Sequence, residues 1–220
     1  MVLAAGFSSR MKVWKPGLKL KDTPLIVHSL IPTLQVAAQV VLVGGFQFEE
    51  LKKVVLNGKE IEESQKEKIV FAENEEYSAG MFSSVRIGLS RVNTSMDGAY
   101  IVPGDMPLID VGTYRILAAA FEAEPEVPVF IPAFSMEPNE NKGENRFKKG
   151  HPILVRRRVF PQILKESRSA ILREVLKQFP SKLCPVLDAG ICIDIDEESD
   201  LARFELQFQH NGQQEIGPRL

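Results

Sequence analysis

The chain has little cysteine, no long apolar run and no excess of positive charge, and each absence removes a class of protein. Two cysteines in 220 residues, Cys184 and Cys192, are too few for the disulfide scaffold of a small secreted domain. They flank an expected turn and could pair there. Met1–Ala5 is too short and too uncharged for a secretory leader, so reduced thiols in the cytoplasm are the expectation. No apolar run approaches the ~20 residues of a bilayer span. The formal net charge of −2 offers no basic footprint, so neither nucleic acid nor an anionic membrane is an expected partner. The Gly-x-x-x-x-Gly-Lys-Ser/Thr string is absent, which disfavours a P-loop ATPase. Internal repeats and Gly/Ser linkers are also missing, and residues 1–220 read as a single domain.

What remains is an ordinary globular composition, 44% hydrophobic and 25% charged, long enough to bury a sizeable core. Short apolar runs bounded by turn residues predict buried parallel strands at Val40–Val43, Ile69–Ala72, Ala99–Val102, Val127–Ile131 and Ile191–Ile195, after a first short strand over Val2–Ala5. Between them helical patterns are expected at Leu25–Leu34, Phe48–Leu56, Ser83–Val92, Val111–Ala123, Ala170–Phe179 and Ser199–Phe208. Thr23-Pro24 reads as a cap with proline at the first helical position, and Pro32 should kink or shorten the helix it opens. Strands alternating with helices imply an α/β fold: three layers around a doubly wound, mostly parallel, Rossmann-like sheet. Ser135–Lys149 is polar, long and loop-like in composition, and reads as an insertion that could serve as a lid.

Four features carry chemistry, the fourth a pair of motifs. In Leu3-Ala4-Ala5-Gly6-Phe7-Ser8-Ser9-Arg10-Met11 a buried strand ends at Gly6, where backbone N–H groups can face an anion. Ser8 and Ser9 add hydroxyl donors, and Arg10 and Lys15 add the cations a triphosphate needs. Asn74–Ser84 is a Gly-containing loop after a strand, with Ser83 and Ser84 placed to cap the following helix. In Val102-Pro103-Gly104-Asp105-Met106-Pro107 a strand delivers one carboxylate, Asp105, at the C-terminal edge where open α/β sheets bind ligands and hard cations. Late in the chain stand Gly150-His151-Pro152 and Ile193-Asp194-Ile195-Asp196. Asp194 and Asp196 lie two apart and so share a face. His151 is either a ligand contact or a structural histidine at a strand entry. Glu197–Asp200 read as acids satisfying a helix dipole.

This ordered series resembles the signature of the molybdenum cofactor cytidylyltransferases, or MobA-like NTP transferases, within the nucleotide-diphospho-sugar transferase type of fold. The resemblance implies that Leu3, Ala4, Ala5, Gly6, Ser8, Ser9, Arg10, Lys15, Gly80, Ser83, Ser84 and Gly104 bind the nucleotide. It implies that Asp105 with Asp194 and Asp196 holds Mg²⁺, that Arg10, Lys15 and Asp105 are catalytic, and that His151 touches the acceptor. Lys12 stands where the family has glycine, Glu197-Glu198 replaces Thr-Pro, and the family's Gly-Asp-x-Gly stretch is only echoed by Ser167–Arg173.

The implied reaction is Mg²⁺-dependent transfer of a nucleotidyl group, CMP from CTP, to a phosphorylated pterin acceptor, molybdopterin, with loss of pyrophosphate. CTP is favoured over GTP because Leu3-Ala4-Ala5-Gly6 is similar to the cytidylyl branch, whereas the guanylyl branch usually has a second glycine. A sugar or alditol phosphate acceptor is the alternative within the enzyme class. A non-catalytic nucleotide-binding accessory protein for a molybdenum hydroxylase is the alternative outside it, and contact with such a hydroxylase suits either reading.

Overall fold

The computed structural model describes residues 1–6, 13–136, 146–197 and 199–201. In chain order the elements are β1 (Val2–Ala4), β2 (Lys19–Leu20), β3 (Thr23–Pro24), α1 (Leu25–Val36), β4 (Val40–Gly44), α2 (Phe48–Asn57), α3 (Glu63–Lys66) and β5 (Ile69–Glu73). They continue with α4 (Met81–Ser90), β6 (Gly98–Pro103), α5 (Val111–Ala123), β7 (Val129–Met136), β8 (Arg146–Lys149), β9 (Ile153–Arg156), α6 (Phe160–Lys165), α7 (Leu172–Leu176) and β10 (Ser181–Val186).

The main sheet runs β10-β7-β9-β6-β1-β4-β5, with β8 paired to β7. Its β6-β1-β4-β5 portion is parallel: Val2 faces Val102 on one side and Leu42 on the other. Both faces of these strands are covered, which is why they read as continuous apolar runs. Leu3, Val41, Val43 and Ile101 point to one face and pack with Phe82, Val85 and Leu89 of α4 and Phe160 and Ile163 of α6. Val2, Ala4, Leu42 and Val102 point to the other, against Ile26, Leu30 and Leu34 of α1 and Leu51 and Val55 of α2. The expected three-layer α/β architecture follows from that alternation.

Beyond β6 the sheet becomes mixed. β9 is antiparallel to β6 and to β7, β8 is antiparallel to β7, and β10 rejoins β7 in parallel. The Ser135–Lys149 stretch, expected as loop, therefore has strand at both ends. Ser135 faces Phe147 and Met136 faces Arg146 in a β7–β8 ladder, and residues 137–145 lie outside the described part.

Several local expectations need correction. Ile191–Ile195 is not a strand: Ala189–Cys192 forms a 3-10 turn, and the chain then runs extended without a ladder. Its apolar residues are buried by packing, as Ile191 and Ile195 show, and burial alone mimics a strand pattern. Helix α1 passes through Pro32 to Val36. Burial of Leu30 and Leu34 offsets the roughly 3 kcal/mol cost of a helical proline. Pro24 is itself the N-cap of α1, and no side chain caps that end. α4 opens at Met81 behind Gly80, so Ser83 and Ser84 stand inside its first turn and cap nothing. α7 is shorter than Ala170–Phe179, and α6 and β10 were not foreseen. Of the helix expected at Ser199–Phe208, residues 199–201 are helical and the rest lies outside the described part. Among the described residues, no helix is long and apolar enough to cross a membrane. Cys184 and Cys192 are free thiols.

Candidate functional site

The strand order reverses direction at β1. From β1 the chain moves outward through β4 to β5, then returns through α4 to place β6 on the other side of β1. Such a switch point opens a crevice at the C-terminal ends of the two diverging strands. A hollow lies there, lined by Leu3, Ala4, Gly6, Lys15, Pro16, Gly104 and Asp105. The first and third motifs, about a hundred residues apart in the chain, meet because β1 and β6 are neighbours. The Gly104 amide donates to Leu3 O at 2.8 Å. A Cβ at Gly104 would stand 2.9 Å from that same carbonyl oxygen, so glycine lets the two strand ends close. Gly6 has no positive φ, and among the described residues a Cβ there would meet nothing within 4 Å. Glycine is thus not required at Gly6 by its backbone conformation; its lack of a side chain leaves the hollow open.

Lys15 enters from a 3-10 turn, Lys15–Gly17, anchored by the buried Pro16. Its Nζ donates to Asp196 Oδ1 at 2.6 Å and lies 3.9 Å from Asp105 Oδ2. Burial pushes the Asp105 carboxyl above the ordinary carboxylate range. Lys15 and a backbone hydrogen bond pull it back down, and the neighbouring charges of Asp194 and Asp196 raise it further.

The acids of the last motif reach Asp105 on a strap, residues 188–196, that crosses the C-terminal edge of the sheet. Asp188 fixes its start: Oδ1 accepts from the Gly190 amide at 2.8 Å, and Oδ2 accepts from the Asp110 amide at 2.9 Å and Thr113 Oγ1 at 2.8 Å. The Ile191 carbonyl then accepts from the His151 amide at 3.0 Å. A Cβ on Gly150 would lie 2.0 Å from the Ile191 oxygen, and one on Gly190 would lie 2.0 Å from the Leu108 oxygen. Both glycines are thus required by backbone pressed on backbone. Further on, the Ile195 amide donates to Asp105 O at 2.9 Å while the Ile195 side chain is buried. Asp194 and Asp196 take the other side of the extended chain. Asp200 Oδ2 accepts from the Asp196 and Glu197 amides, both at 2.9 Å. Asp200 therefore holds the strap's end as well as standing at a helix start. Among the described residues no group of three or more His, Cys, Asp or Glu side chains forms a ready metal cage.

His151 sits where β8 gives way to β9. Burial lowers its pKa to about 4, against an upward pull from Asp194, so the ring is neutral near pH 7. The second motif closes the same sheet edge beyond β5. Asn74 is buried and its Nδ2 donates to Ser83 Oγ at 2.8 Å and Ser84 Oγ at 2.9 Å. Ser83 Oγ donates to Gly80 O at 2.7 Å. The two hydroxyls are occupied within the loop, so a ligand here would meet backbone. Gly80, at φ 105°, holds a conformation that a side chain would strain. Ser8, Ser9 and Arg10 lie outside the described residues, and Ala5 is buried and does not line the hollow. Sequence reasoning missed Asn74, Asp188 and Asp200 as organisers. Asp188-Ala189-Gly190 carried a readable signal, since Asp-x-Gly favours an Asx-turn.

The model of the MobA-like NTP transferase domain matches residues 1–183. The chain is 25% identical over 202 residues to the molybdenum cofactor cytidylyltransferase of Escherichia coli (strain K12), covering 91% of each. It superposes on CMP:2-keto-3-deoxy-manno-octonic acid synthetase complexed with CTP at a TM-score of 0.73 and 16% identity, covering 96% of this chain and 97% of that one. It superposes on the manganese complex of Rv0371C from Mycobacterium tuberculosis H37Rv at a TM-score of 0.61 and 20% identity, covering 93% and 96%.

Proposed function

The chain belongs to the MobA-like NTP transferase family, and on that premise we propose that it transfers CMP from CTP to the phosphate of a pterin-type acceptor, molybdopterin. The observation that carries the reading is Lys15 standing between Asp105 and Asp196 at the switch point of the sheet. The choice of nucleotide and acceptor is supported by the cytidylyltransferase relative, which shares most of its length with this chain. A non-catalytic carrier would have no use for a paired carboxylate at that place.

In the reaction an acceptor phosphate oxygen forms a bond to the α-phosphorus as the bond to the bridging oxygen breaks, and pyrophosphate leaves with the electron pair. The attacking group is already an anion, so no side chain need remove a proton. Leu3, Ala4, Gly6 and Gly104 wall the phosphate hollow, with Ser8, Ser9 and Arg10 on the adjoining segment. Lys15 supplies a cation to the phosphates. Gly80, with Ser83 and Ser84 behind it, borders the nucleotide or acceptor position, and neutral His151 offers the acceptor an uncharged hydrogen-bonding ring.

Asp105 and Asp196, with Asp194 beside them, are hard oxygen donors suited to Mg²⁺. The Lys15 ammonium seated against Asp196 is consistent with a position that favours positive charge. When bound, the ion would neutralise charge on the phosphate oxygens. Manganese in the Rv0371C structure supports a divalent ion on this fold.

The test is to incubate the protein with each NTP, Mg²⁺ and molybdopterin and to follow pyrophosphate beside an Asp105→Asn control. Release with CTP that the control lacks is expected. Equal release from the control would overturn the assignment of the site, and turnover of GTP alone would overturn the choice of CTP.

A further inference from the structure

We propose that Lys15 is a resident counter-ion that keeps free divalent metal off the Asp105–Asp196 pair and yields the pair only to a polyphosphate. The ligand of the site is then the metal–triphosphate chelate, not metal first and nucleotide second. The nucleotide half of this inference rests on the nucleotidyltransferase reading, and the metal half stands on the geometry alone.

The Lys15 side chain is 12% exposed, and the carboxylates it joins are 35% and 33% exposed. A half-enclosed ammonium of this kind is held by its acids, since water reaches it poorly. The Asp196 oxygen it occupies, at 2.6 Å, is one that a metal would need. Mg²⁺ takes oxygens at about 2.0–2.1 Å in a near-octahedral shell. An ammonium left in place would repel the incoming dication. Among the described residues, Asp194 included, no group of three or more acids, histidines or cysteines forms a ready protein cage to offset that conflict.

A triphosphate relieves both difficulties at once. Its oxygens supply the missing ligands, and its charge gives Lys15 a new partner. The ammonium rides on a flexible four-carbon stem with rotatable donors, so it can exchange Asp196 for a phosphate oxygen while the Pro16-anchored turn stays put. Coupling between two ligands of this kind is typically about 5–150-fold and is reciprocal.

Mn²⁺ binding to the full chain, read by loss of the free-ion electron paramagnetic resonance signal, tests this without turnover. In the absence of nucleotide, Lys15→Met should bind Mn²⁺ at least about fivefold more tightly than wild type, and Lys15→Gln should behave likewise. Adding Asp196→Asn to either variant should abolish the gain. With α,β-methylene-CTP present the order should reverse, wild type holding the Mn²⁺ complex more tightly. Wild type binding Mn²⁺ alone as tightly as both variants would overturn the proposal, with circular-dichroism melts confirming that the variants are folded. A gain in metal affinity together with no binding of the CTP analogue would leave the counter-ion role standing and remove the nucleotidyltransferase reading instead.

Discussion

Nζ of Lys15 lies 2.6 Å from Oδ1 of Asp196, a residue 181 positions later in the chain. This contact joins the segment after the first strand to the strap near the end of the described chain, with Asp105 beside both. A change at any of the three should therefore damage one function. Asp105→Asn is expected to lower CTP-dependent pyrophosphate release by about 10²–10³, and Lys15→Met by a similar factor, the scale of losing one transition-state contact. Combined, they should cost far less than the product of the two. Full multiplicativity in kcat/KM would show that the two groups act independently.

Gly150 has no room for a side chain. Gly150→Ala would bring a Cβ within 2.0 Å of the Ile191 oxygen, so backbone must move. The expected cost is about 1–3 kcal/mol, or about 2–4 °C of Tm per kcal/mol for a chain of this size. Because the same strap carries Asp194 and Asp196, activity should fall more than the melting temperature alone explains. A calorimetric scan at wild-type Tm would refute the close approach.

Asn74 is the other buried organiser. Asn74→Ala leaves the Ser83 and Ser84 hydroxyls without the amide that bridges them. A loss of about 1–3 kcal/mol is expected for stranded buried polar groups, visible as a lower urea midpoint at unchanged m-value. The loop would also loosen at Gly80, raising KM for nucleotide or acceptor with less effect on kcat.

His151 sets an acid limit. Its folded pKa of about 4 lies below its ordinary 6.5, so the unfolded chain takes up this proton first. Its contribution to stability is fully present above pH 6.5 and is lost progressively as pH falls toward 4, reaching at most about 3 kcal/mol. His151→Asn should show a shallower decline over that window when unfolding free energy is measured against pH. An identical slope in both proteins would mean that the ring is not buried as described.

The parallel half of the fold was legible because burial on both faces leaves a plain mark. Val40–Gly44 and Gly98–Pro103 are continuous apolar strands, and Phe48–Asn57 carries a one-sided apolar stripe. The mixed half was not. β10 alternates exposed and buried residues and includes Pro185, which a pattern search demotes but an edge strand tolerates. Ile191–Ile195 misled in the opposite sense, as a buried strap has the apolar content of a strand without its ladder.

The amino-acid string by itself singled out the candidates: Gly6, Lys15, Asp105, His151, Asp194 and Asp196 all stand out from motif and order. Tertiary structure alone decided which of them meet. It paired β1 with β6, closing Gly104 on Leu3, and laid the strap back across that edge through Asp188, Gly150 and Asp200. Lys15 could then be set between Asp105 and Asp196, while Asp194 bears on His151 as well as Asp105. Spacing along a chain encodes local faces and turns, whereas the meeting of residues 181 apart depends on strand order and on where glycines let backbones touch.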